Sequence, residues 1–249
     1  MTLGLNPQTG RKVFMLDFEI CNEKDFSLLK GMDPFKSIAV PRPIAWISTV
    51  SKDGIDNLAP FSQFTNVGFN HPHVLFAAQL NAEGKKKDTV VNAEETGSFV
   101  HNMVTYDLRE AMNVTSLSYA ADVDEFEKAG LTKEESSIVK AKRVKESPIQ
   151  LECQYVTTVV LPGADWKSGS HLVIGRVVCI HVDENYVLPN GKLDILKLRP
   201  LARLGYADYT SVTDVWEMRP QSMMNNPIPG GYSYMSPESL KLEATHKDL

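Results

Sequence analysis

Three adjacent lysines precede a predicted helix start and could bind a phosphate. The run Lys85 to Lys87 stands directly before Asp88 and Thr89, residue types that favour a helix N-cap. The first turn of a helix has backbone N–H groups without helical acceptors and carries the positive end of the helix dipole, so this spacing suits an anion. The pattern is generic, because charge runs are usually solvated surface and the glycines of a P-loop are missing. A solvated basic turn is therefore the competing interpretation.

A second candidate is the polar, loop-rich segment 57–66. It places Pro60, Ser62 and Gln63 beside the aromatic ring of Phe64. Backbone amides and small hydroxyls next to an aromatic ring suit a flat heteroaromatic ligand, because they bind the ring edges and leave the faces apolar. A plain barrel strand with a kink at Pro60 explains the same residues equally well.

Among the six histidines, His171 is the strongest candidate for chemistry because it begins a predicted strand at a loop junction. Alternation along that strand predicts that His171 and His181 share one face. They would then stand about 33 Å apart at a rise of roughly 3.3 Å per residue, too far to act together.

The sequence predicts no metal site. His71 and His73 flank a proline and could chelate a metal, but no cysteine or carboxylate joins them. Cys21, Cys153 and Cys179 sit at no metal-ligand spacing and leave one thiol over, so neither a zinc site nor a disulfide framework is expected.

The elements that must position these residues are mostly short strands in tight succession, which favours a barrel or a sandwich. We predict strands at 44–49, 58–64, 65–69, 74–79, 98–103, 149–161 and 172–182. A turn at Asp53-Gly54 makes the first pair a hairpin, and a loop at 163–170 joins the last pair. A helix is expected to run from Asp88 to Gly97.

The segment 106–145 changes to helix-like spacing and mixed charge, which predicts an inserted helical layer. Asp107 and Asp124 are its candidate helix starts, and Gly130 is a candidate stop. The fold class is therefore mainly β with peripheral helices. We expect one domain over 32–219, preceded by an extension and followed by a tail at 220–249.

Composition excludes several classes of protein. The 249 residues are 43% hydrophobic, enough for a sizeable core, and the formal net charge of −5 argues against a nucleic-acid binder. No apolar stretch is long enough to span a bilayer, and residues 1–17 lack the apolar run of a signal peptide. A cytoplasmic protein without membrane or nucleic-acid partners is expected.

Read together, three blocks carry a family resemblance. They are PRPIAWISTVSKDGIDNLAPFSQFTNVGFNHP at 41–72, KDTVVNAEETGSFVHN at 87–102 and GSHLVIGRV at 169–177. In this order they resemble the flavin reductase-like family of FMN-binding split barrels, and the likeness extends over 32–206. It implies a six-stranded Greek-key split β-barrel that forms a homodimer with FMN at the subunit interface. Residues 1–31 form an N-terminal extension outside the likeness.

The resemblance also implies which residues line the flavin ring. Ser48 and Thr49 end the first strand beside it. The segment lining the isoalloxazine ring comprises Ala59, Pro60, Ser62, Gln63 and Phe64. Several relatives have a hydroxyl residue in place of Pro60 and a serine in place of Gln63, so the resemblance does not imply side-chain hydrogen bonds to the ring at these two positions.

The phosphate and the chemistry are assigned in the same way. Lys87 and Thr89 match the block associated with the phosphate, and Arg42 belongs to the Arg-Pro block of the family. His171 matches a histidine near the cofactor in related flavin reductases, which makes it the candidate catalytic residue.

The function implied is NAD(P)H-dependent reduction of FMN or of another acceptor, with the flavin performing the redox chemistry. The sequence lacks a Gly-x-Gly-x-x-Gly fingerprint, so NADH or NADPH would have to stack directly on the flavin. Three alternatives remain open: an electron-transfer flavoprotein reduced by a redox partner protein, a flavin-binding module without turnover, and an interaction protein with an empty barrel.

Overall fold

The computed structural model describes residues 2–5, 12–15 and 32–218. The chain divides into two compact units, Met1–Arg42 with Ala202–Thr210 and Pro43–Leu201 with Ser211–Leu249. The predicted tail at 220–249 and most of the predicted extension at 1–31 lie outside the described residues. None of the helices described is long and apolar enough to cross a membrane.

Strands make up most of the regular structure, as the sequence predicts. In chain order they are β1 Thr2–Leu5, β2 Lys12–Met15, β3 Arg42–Pro43, β4 Ala45–Val50, β5 Asp56–Phe61, β6 Phe64–Gly68, β7 His73–Gln79, β8 Ser98–Met103, β9 Lys133–Glu134, β10 Arg143–Val144, β11 Ile149–Pro162, β12 Gly169–Val182, β13 Leu201–Gly205 and β14 Asp208–Ser211. The helices are α1 Phe35–Ile38, α2 Asp88–Thr96, α3 Arg109–Val114, α4 Glu125–Lys128 and α5 Ile195–Leu198, with short 3-10 turns at Tyr106–Leu108 and Glu184–Tyr186.

The main sheet of the larger unit curls into a split barrel. Its strand order is β5-β4-β8-β11-β12-β7-β6, with antiparallel neighbours throughout. Only Ser62 and Gln63 join the two edge strands, and three Cα–Cα steps reach at most about 11 Å. A flat sheet of this width would separate those strands by roughly 29 Å. The sheet therefore closes on itself, and the rings of Phe61 and Phe76 meet with their centroids 5.1 Å apart.

The prediction of a mainly β, split-barrel fold is confirmed, with one difference in the strand count. The sheet has the seven strands that the residue patterns predict, rather than the six that the family resemblance implies, and the break between β5 and β6 lies at Ser62 and Gln63. Pro60 lies in the edge strand β5, where its missing N–H removes no ladder hydrogen bond from a central strand.

One face of the sheet, here called the inner face, encloses the main core. Its buried side chains are Ala45, Ile47, Val74, Phe76, Ala78, Phe99, Cys153 and Val173, and helix α2 adds Val90 and Ala93. The packing is tight at Gly175, where a Cβ would lie 2.4 Å from the Phe99 ring. Helix α2 is thereby fixed against the barrel interior, together with the lysine run that precedes it.

The opposite face, here called the outer face, is covered by the segment 106–147. The indole of Trp46 donates to the Thr115 hydroxyl at 2.8 Å, and Asn102 accepts the backbone N–H of Val144 at 2.8 Å. A second core lies between them, comprising Ile44, Trp46, Leu58, Val104, Met112, Phe126, Val144 and Leu201. The segment 106–147 is thus joined to the sheet by side-chain hydrogen bonds instead of by the backbone hydrogen bonds that would join another strand.

The expectation of a helical layer at 106–145 is wrong for most of that segment. It contains only the short helices α3 and α4, the two-residue strands β9 and β10, a 3-10 turn and irregular chain. Asp124 does cap α4, accepting the N–H of Phe126, and Gly130 follows with a φ of 66°. Three of the charged side chains in this segment bond to the sheet instead: Glu125 to Asn57 and Leu58, Lys133 to Asp56, and Arg143 to Gln150.

A bulge in β12 changes which face its side chains occupy. Cys153 pairs with Val177 whereas Glu152 pairs with Cys179, so Val178 is an extra residue. Paired residues share a face, and the alternation is therefore inverted after Val178. The expectation that His171 and His181 share a face is wrong, because one lies on the inner face and the other on the outer face.

Candidate functional site

The N-cap of helix α2 lies one residue before the Asp88-Thr89 pair that the sequence favours as a cap. Lys87 is the N-cap, without a side-chain capping bond, and Asp88 is the first helical residue. The helix ends as expected at Gly97, which has a φ of 74° and donates its N–H to Ala93. The first turn thus presents backbone N–H groups beside a half-buried lysine, an arrangement suited to an anion.

The lysine run is held at this helix start by a tight turn. The side-chain oxygen of Asn81 accepts the backbone N–H of Lys85 at 2.8 Å and that of Glu83 at 3.1 Å. The loop between β11 and β12 meets the same turn, because a Cβ at Gly84 would lie 2.8 Å from the Trp166 ring. The position of the lysines is therefore fixed by packing rather than by charge alone.

The middle lysine of the run is already neutralised. Lys86 Nζ contacts Glu94 Oε2 at 2.6 Å. Although burial favours protonation of Glu94, hydrogen bonds from Lys86 and Thr158 hold its pKa below the usual value. Within the described ranges no carboxylate forms an ion pair with Lys85 or Lys87, so these two lysines retain their charge for a ligand.

His171 lies beside the Lys86–Glu94 pair. It is on the inner face, 7% exposed, with Ala78 and Val160 as its strand partners. Burial and the Lys86 charge lower the pKa of His171, and Glu94 partly opposes them. Both effects favour the neutral imidazole. Lys86 of the lysine run and Glu94 of α2 are thus the charged groups that act on the predicted catalytic histidine.

Thr49 and Thr89 meet in a buried hydrogen-bond network. Both hydroxyls donate to the side-chain oxygen of Asn57, Thr89 at 2.8 Å and Thr49 at 3.3 Å. Asn92 donates to the Thr49 hydroxyl at 3.1 Å. Both hydroxyls are hydrogen-bonded within the protein. The assignment of Thr49 and Thr89 to a cofactor site stays a prediction.

The β5–β6 corner carries the residues predicted to line a flat ring. Ala59, Pro60 and Ser62 are half-buried and Gln63 is exposed. The ring of Phe64 packs on the imidazole of His101, with centroids 4.4 Å apart and planes inclined by 30°.

His101 is a site residue that the sequence reasoning missed. Burial lowers the pKa of His101 to about 3, so the ring is neutral. Its Nδ1 is buried and has no hydrogen-bond partner in the part of the chain that the structure describes. The alternation of strand 98–103 carried the signal, since it directs His101 to the same face as Phe99. A buried nitrogen without a partner is costly and marks a place where a further polar group would be stabilising.

The two remaining predicted residues, Ser48 and Arg42, belong to different units. Ser48 lies on the outer face, where its hydroxyl donates to the Lys142 carbonyl at 2.6 Å. Arg42 belongs to the smaller unit, where its Nη1 donates to the carbonyls of Lys36 and Ala39 at 2.9 Å.

Comparison with known families assigns this barrel. Residues 37–198 match the model of the flavin reductase like domain. The chain belongs to the flavin reductase-like family. The matched range contains the whole seven-stranded sheet, helix α2 and His171.

Other members and related structures agree. An uncharacterized protein of Aquifex aeolicus (strain VF5) is 40% identical over 168 residues, which are 68% of this chain and 83% of that protein. The crystal structure of nitrilotriacetate monooxygenase component B from Bacillus cereus is 32% identical with a TM-score of 0.74, covering 83% of this chain and 98% of that chain. A putative flavin reductase with a split barrel domain from Shewanella frigidimarina NCIMB 400 is 27% identical with a TM-score of 0.66, covering 75% and 89%.

Proposed function

We propose that this flavin reductase-like protein binds FMN between the start of α2 and the β5–β6 corner and uses it as an NAD(P)H-dependent flavin reductase. Family membership supports a flavin-binding, oxidoreductase-type function. The observation that carries the specific proposal is the helix start, where Lys85 and Lys87 form no ion pair with a carboxylate in the described part of the chain and the neighbouring Lys86–Glu94 pair acts on His171.

The residues present fit FMN by the chemistry of their donors. A phosphate dianion would be bound by Lys85, Lys87 and the first backbone N–H groups of α2. The apolar faces of an isoalloxazine ring would pack near Phe64. The His101 ring lies against Phe64, and its buried Nδ1 has no hydrogen-bond partner among the described residues. FMN, when bound, supplies the hydride and electron transfer, while the protein binds and orients it and excludes water.

His171 is the proposed residue at the donor side. Its low exposure and depressed pKa keep the imidazole uncharged, so it can donate or accept one hydrogen bond without adding charge near the flavin. Replacement of His171 by alanine is expected to slow reduction of the flavin while leaving FMN affinity and folding intact. An unchanged rate of flavin reduction in that variant would show that His171 does not act at the site.

An electron-transfer role with a protein partner is the second candidate. The similar Bacillus cereus protein is a component of a monooxygenase, which supports a redox partner for this chain as well. Stopped-flow mixing separates the two: bleaching of bound flavin by NADH or NADPH supports the reductase, and bleaching only by a reduced protein donor supports the alternative.

We also propose a homodimer. The β11–β12 hairpin exposes Val156, Val159, Val160 and Leu161, between 45% and 59% each, on both of its faces. A second copy that covers such a surface should bury roughly 2,000 Å² or more in total. Light scattering at low micromolar concentration tests this, and a flavin-loaded monomer would contradict it.

The decisive experiment is the absorption spectrum of the purified protein, followed by identification of the chromophore released on denaturation. Flavin bands and released FMN are expected. A colourless protein that does not take up FMN would contradict the proposal. The predicted cytoplasmic location stays a prediction.

A further inference from the structure

A second cluster of reactive side chains lies on the outer face of the sheet. One ligand atom each from Glu152, Cys179 and His181 lie within 4.8 Å of one another. His181 Nε2 is 2.6 Å from Glu152 Oε1 and 3.5 Å from Cys179 Sγ. The bulge at Val178 creates this cluster, because it turns Cys179 and His181 to the face that carries Glu152.

The contacts converge on one atom. In a nucleophile–base–carboxylate relay, the nucleophile and the carboxylate bond to different nitrogens of the histidine. Here Cys179 Sγ and Glu152 Oε1 both approach Nε2 of His181. Three potential ligand atoms within 4.8 Å of one another are instead compatible with a metal-ligand set.

The distances and charges suit zinc. Tetrahedral Zn²⁺ with bond lengths of about 2.0–2.3 Å holds nitrogen, oxygen and sulfur ligands about 3.3–3.6 Å apart. The sulfur–nitrogen separation of 3.5 Å already has this value. The oxygen–nitrogen pair must open by about 0.7 Å to reach the separation found in such sites. The His181 side chain can make this movement because 21% of its surface is exposed.

The carboxylate is oriented independently of the histidine. Glu152 is fully buried, and its oxygens accept the backbone N–H groups of Ser137, Ile138 and Val139 at 2.6, 2.7 and 3.0 Å. Outer bonds of this kind hold a metal ligand in place. One carboxylate, one thiolate and a neutral imidazole would also neutralise the two charges of the ion.

A groove in the surface reaches the cluster at His181. Its volume is about 530 Å³, and His181 forms part of its wall. The other lining residues include Arg143, Lys145, Glu146, Gln150 and Asp183. A polar, open groove of this size provides an entry path and leaves room for a fourth ligand such as water.

We propose that Glu152, Cys179 and His181 form a Zn²⁺ site with three protein ligands and a fourth position open to the groove. The site lies on the face of the sheet opposite His171 and does not depend on flavin binding. On binding, the Cys179 thiol gives its proton to solvent and the imidazole proton moves to Nδ1, so that Sγ and Nε2 both face the ion.

The test is titration of the purified protein with zinc alone, by equilibrium dialysis with elemental analysis and by zinc X-ray absorption. One zinc per chain with one sulfur neighbour is expected. Loss of a second-shell partner weakens metal binding by about 10- to 100-fold, so Cys179→Ser and His181→Ala should each cost at least about tenfold.

His73→Ala is the matched control. It removes a partly exposed strand histidine next to His71 and should leave zinc binding unchanged. Circular dichroism and flavin content establish that each variant is folded, and neither should change in Cys179→Ser. The proposal is overturned by a zinc spectrum without sulfur, by zinc affinity that survives Cys179→Ser, by its loss in His73→Ala, or by no binding at equimolar zinc.

Discussion

The side-chain amide of Asn57 donates to both carboxylate oxygens of Glu125, at 3.0 and 3.1 Å. Glu125 also accepts the backbone N–H of Leu58 at 2.9 Å, on the edge strand β5. The oxygen of the same Asn57 side chain accepts the Thr89 hydroxyl. Asn57 thus connects the covering segment 106–147, the edge strand β5 and helix α2. These hydrogen bonds hold the start of α2, which follows the lysine run, in position against β5.

Replacing Asn57 by alanine should destabilise the protein strongly. The substitution leaves the Thr89 hydroxyl and the buried Glu125 carboxylate without their shared partner, and each unsatisfied group costs about 1–3 kcal/mol. A loss of about 3 kcal/mol in the free energy of unfolding is expected from urea denaturation. Asn66→Ala, at an exposed position of β6, is the control and should change stability little. Equal effects of the two substitutions would contradict the central role of Asn57.

The pH dependence of stability should reveal Glu125. Burial and, to a lesser degree, the Asp124 charge raise its pKa against the hydrogen bonds from Leu58 and Asn57. The folded state then holds a proton that the unfolded state releases, so this contribution to stability is present below pH 4.5 and is lost as the pH rises through the folded pKa. Subtracting the Glu125→Gln unfolding curve from the parent curve should isolate a component that falls with rising pH. A component that rises would show the opposite shift.

His101 should act with the opposite sign. Burial lowers its pKa to about 3, so the unfolded state binds a proton below pH 6.5 that the folded state does not. Stability should therefore fall on acidification below pH 6.5, by at most about 1.4 kcal/mol per pH unit from this residue. Denaturation of parent and His101→Gln between pH 7 and pH 5 measures the difference. An identical slope in the two proteins would assign the acid sensitivity elsewhere.

The Lys86–Glu94 pair should control the protonation of His171. Removing the lysine charge in Lys86→Gln leaves Glu94 unpaired, and both changes favour the imidazolium, so the pKa of His171 should rise. Histidine NMR signals followed through a pH titration report this directly. Lys85→Gln, one position away, is the matched control, because Lys85 is not among the charges that act on His171. A larger rise in the control would place His171 elsewhere.

Lys87 should distinguish FMN from riboflavin. A hydrogen bond to a charged group contributes about 1.5–3 kcal/mol, so Lys87→Ala should weaken FMN binding by roughly ten- to a hundredfold. Riboflavin has no phosphate and should bind the variant almost as well as the parent. Glu94 holds Lys86, which limits its ability to substitute for the lost charge. Titration of both flavins into flavin-depleted protein decides the matter, and equal losses would show that Lys87 supports the fold or the ring.

Much of the barrel follows from local signals in the sequence. Turn residues and runs of β-branched residues act locally and can therefore be recognised in the sequence. They predict the β4–β5 hairpin, strand 98–103, the β11–β12 hairpin and the end of α2 at Gly97. The bulge at Val178 cannot be predicted in this way, because one extra residue does not change the residue types of a strand. The predicted face of His181 relative to His171 is therefore wrong.

Part of the candidate site could also be predicted from the sequence. The lysine run and His171 stand out as residue types, and the structure brings them together. The Thr49 and Thr89 hydroxyls share Asn57 as their hydrogen-bond acceptor, and the His101 ring packs on Phe64 of β6. Such partners are distant in the chain and become visible only in three dimensions.

Because Val178 is the extra residue of the bulge, a change in the length of β12 would alter the structure more than a change of residue type at this position. Substitution at Val178 alters one side chain, whereas its deletion would exchange the faces of everything from Cys179 to Val182. Ile180 would then turn toward the polar covering segment, and His181 toward the apolar interior. Related sequences aligned through this strand without a gap at the bulge would compare residues from opposite sides of the sheet, and any motif that includes Cys179 and His181 would be lost from view.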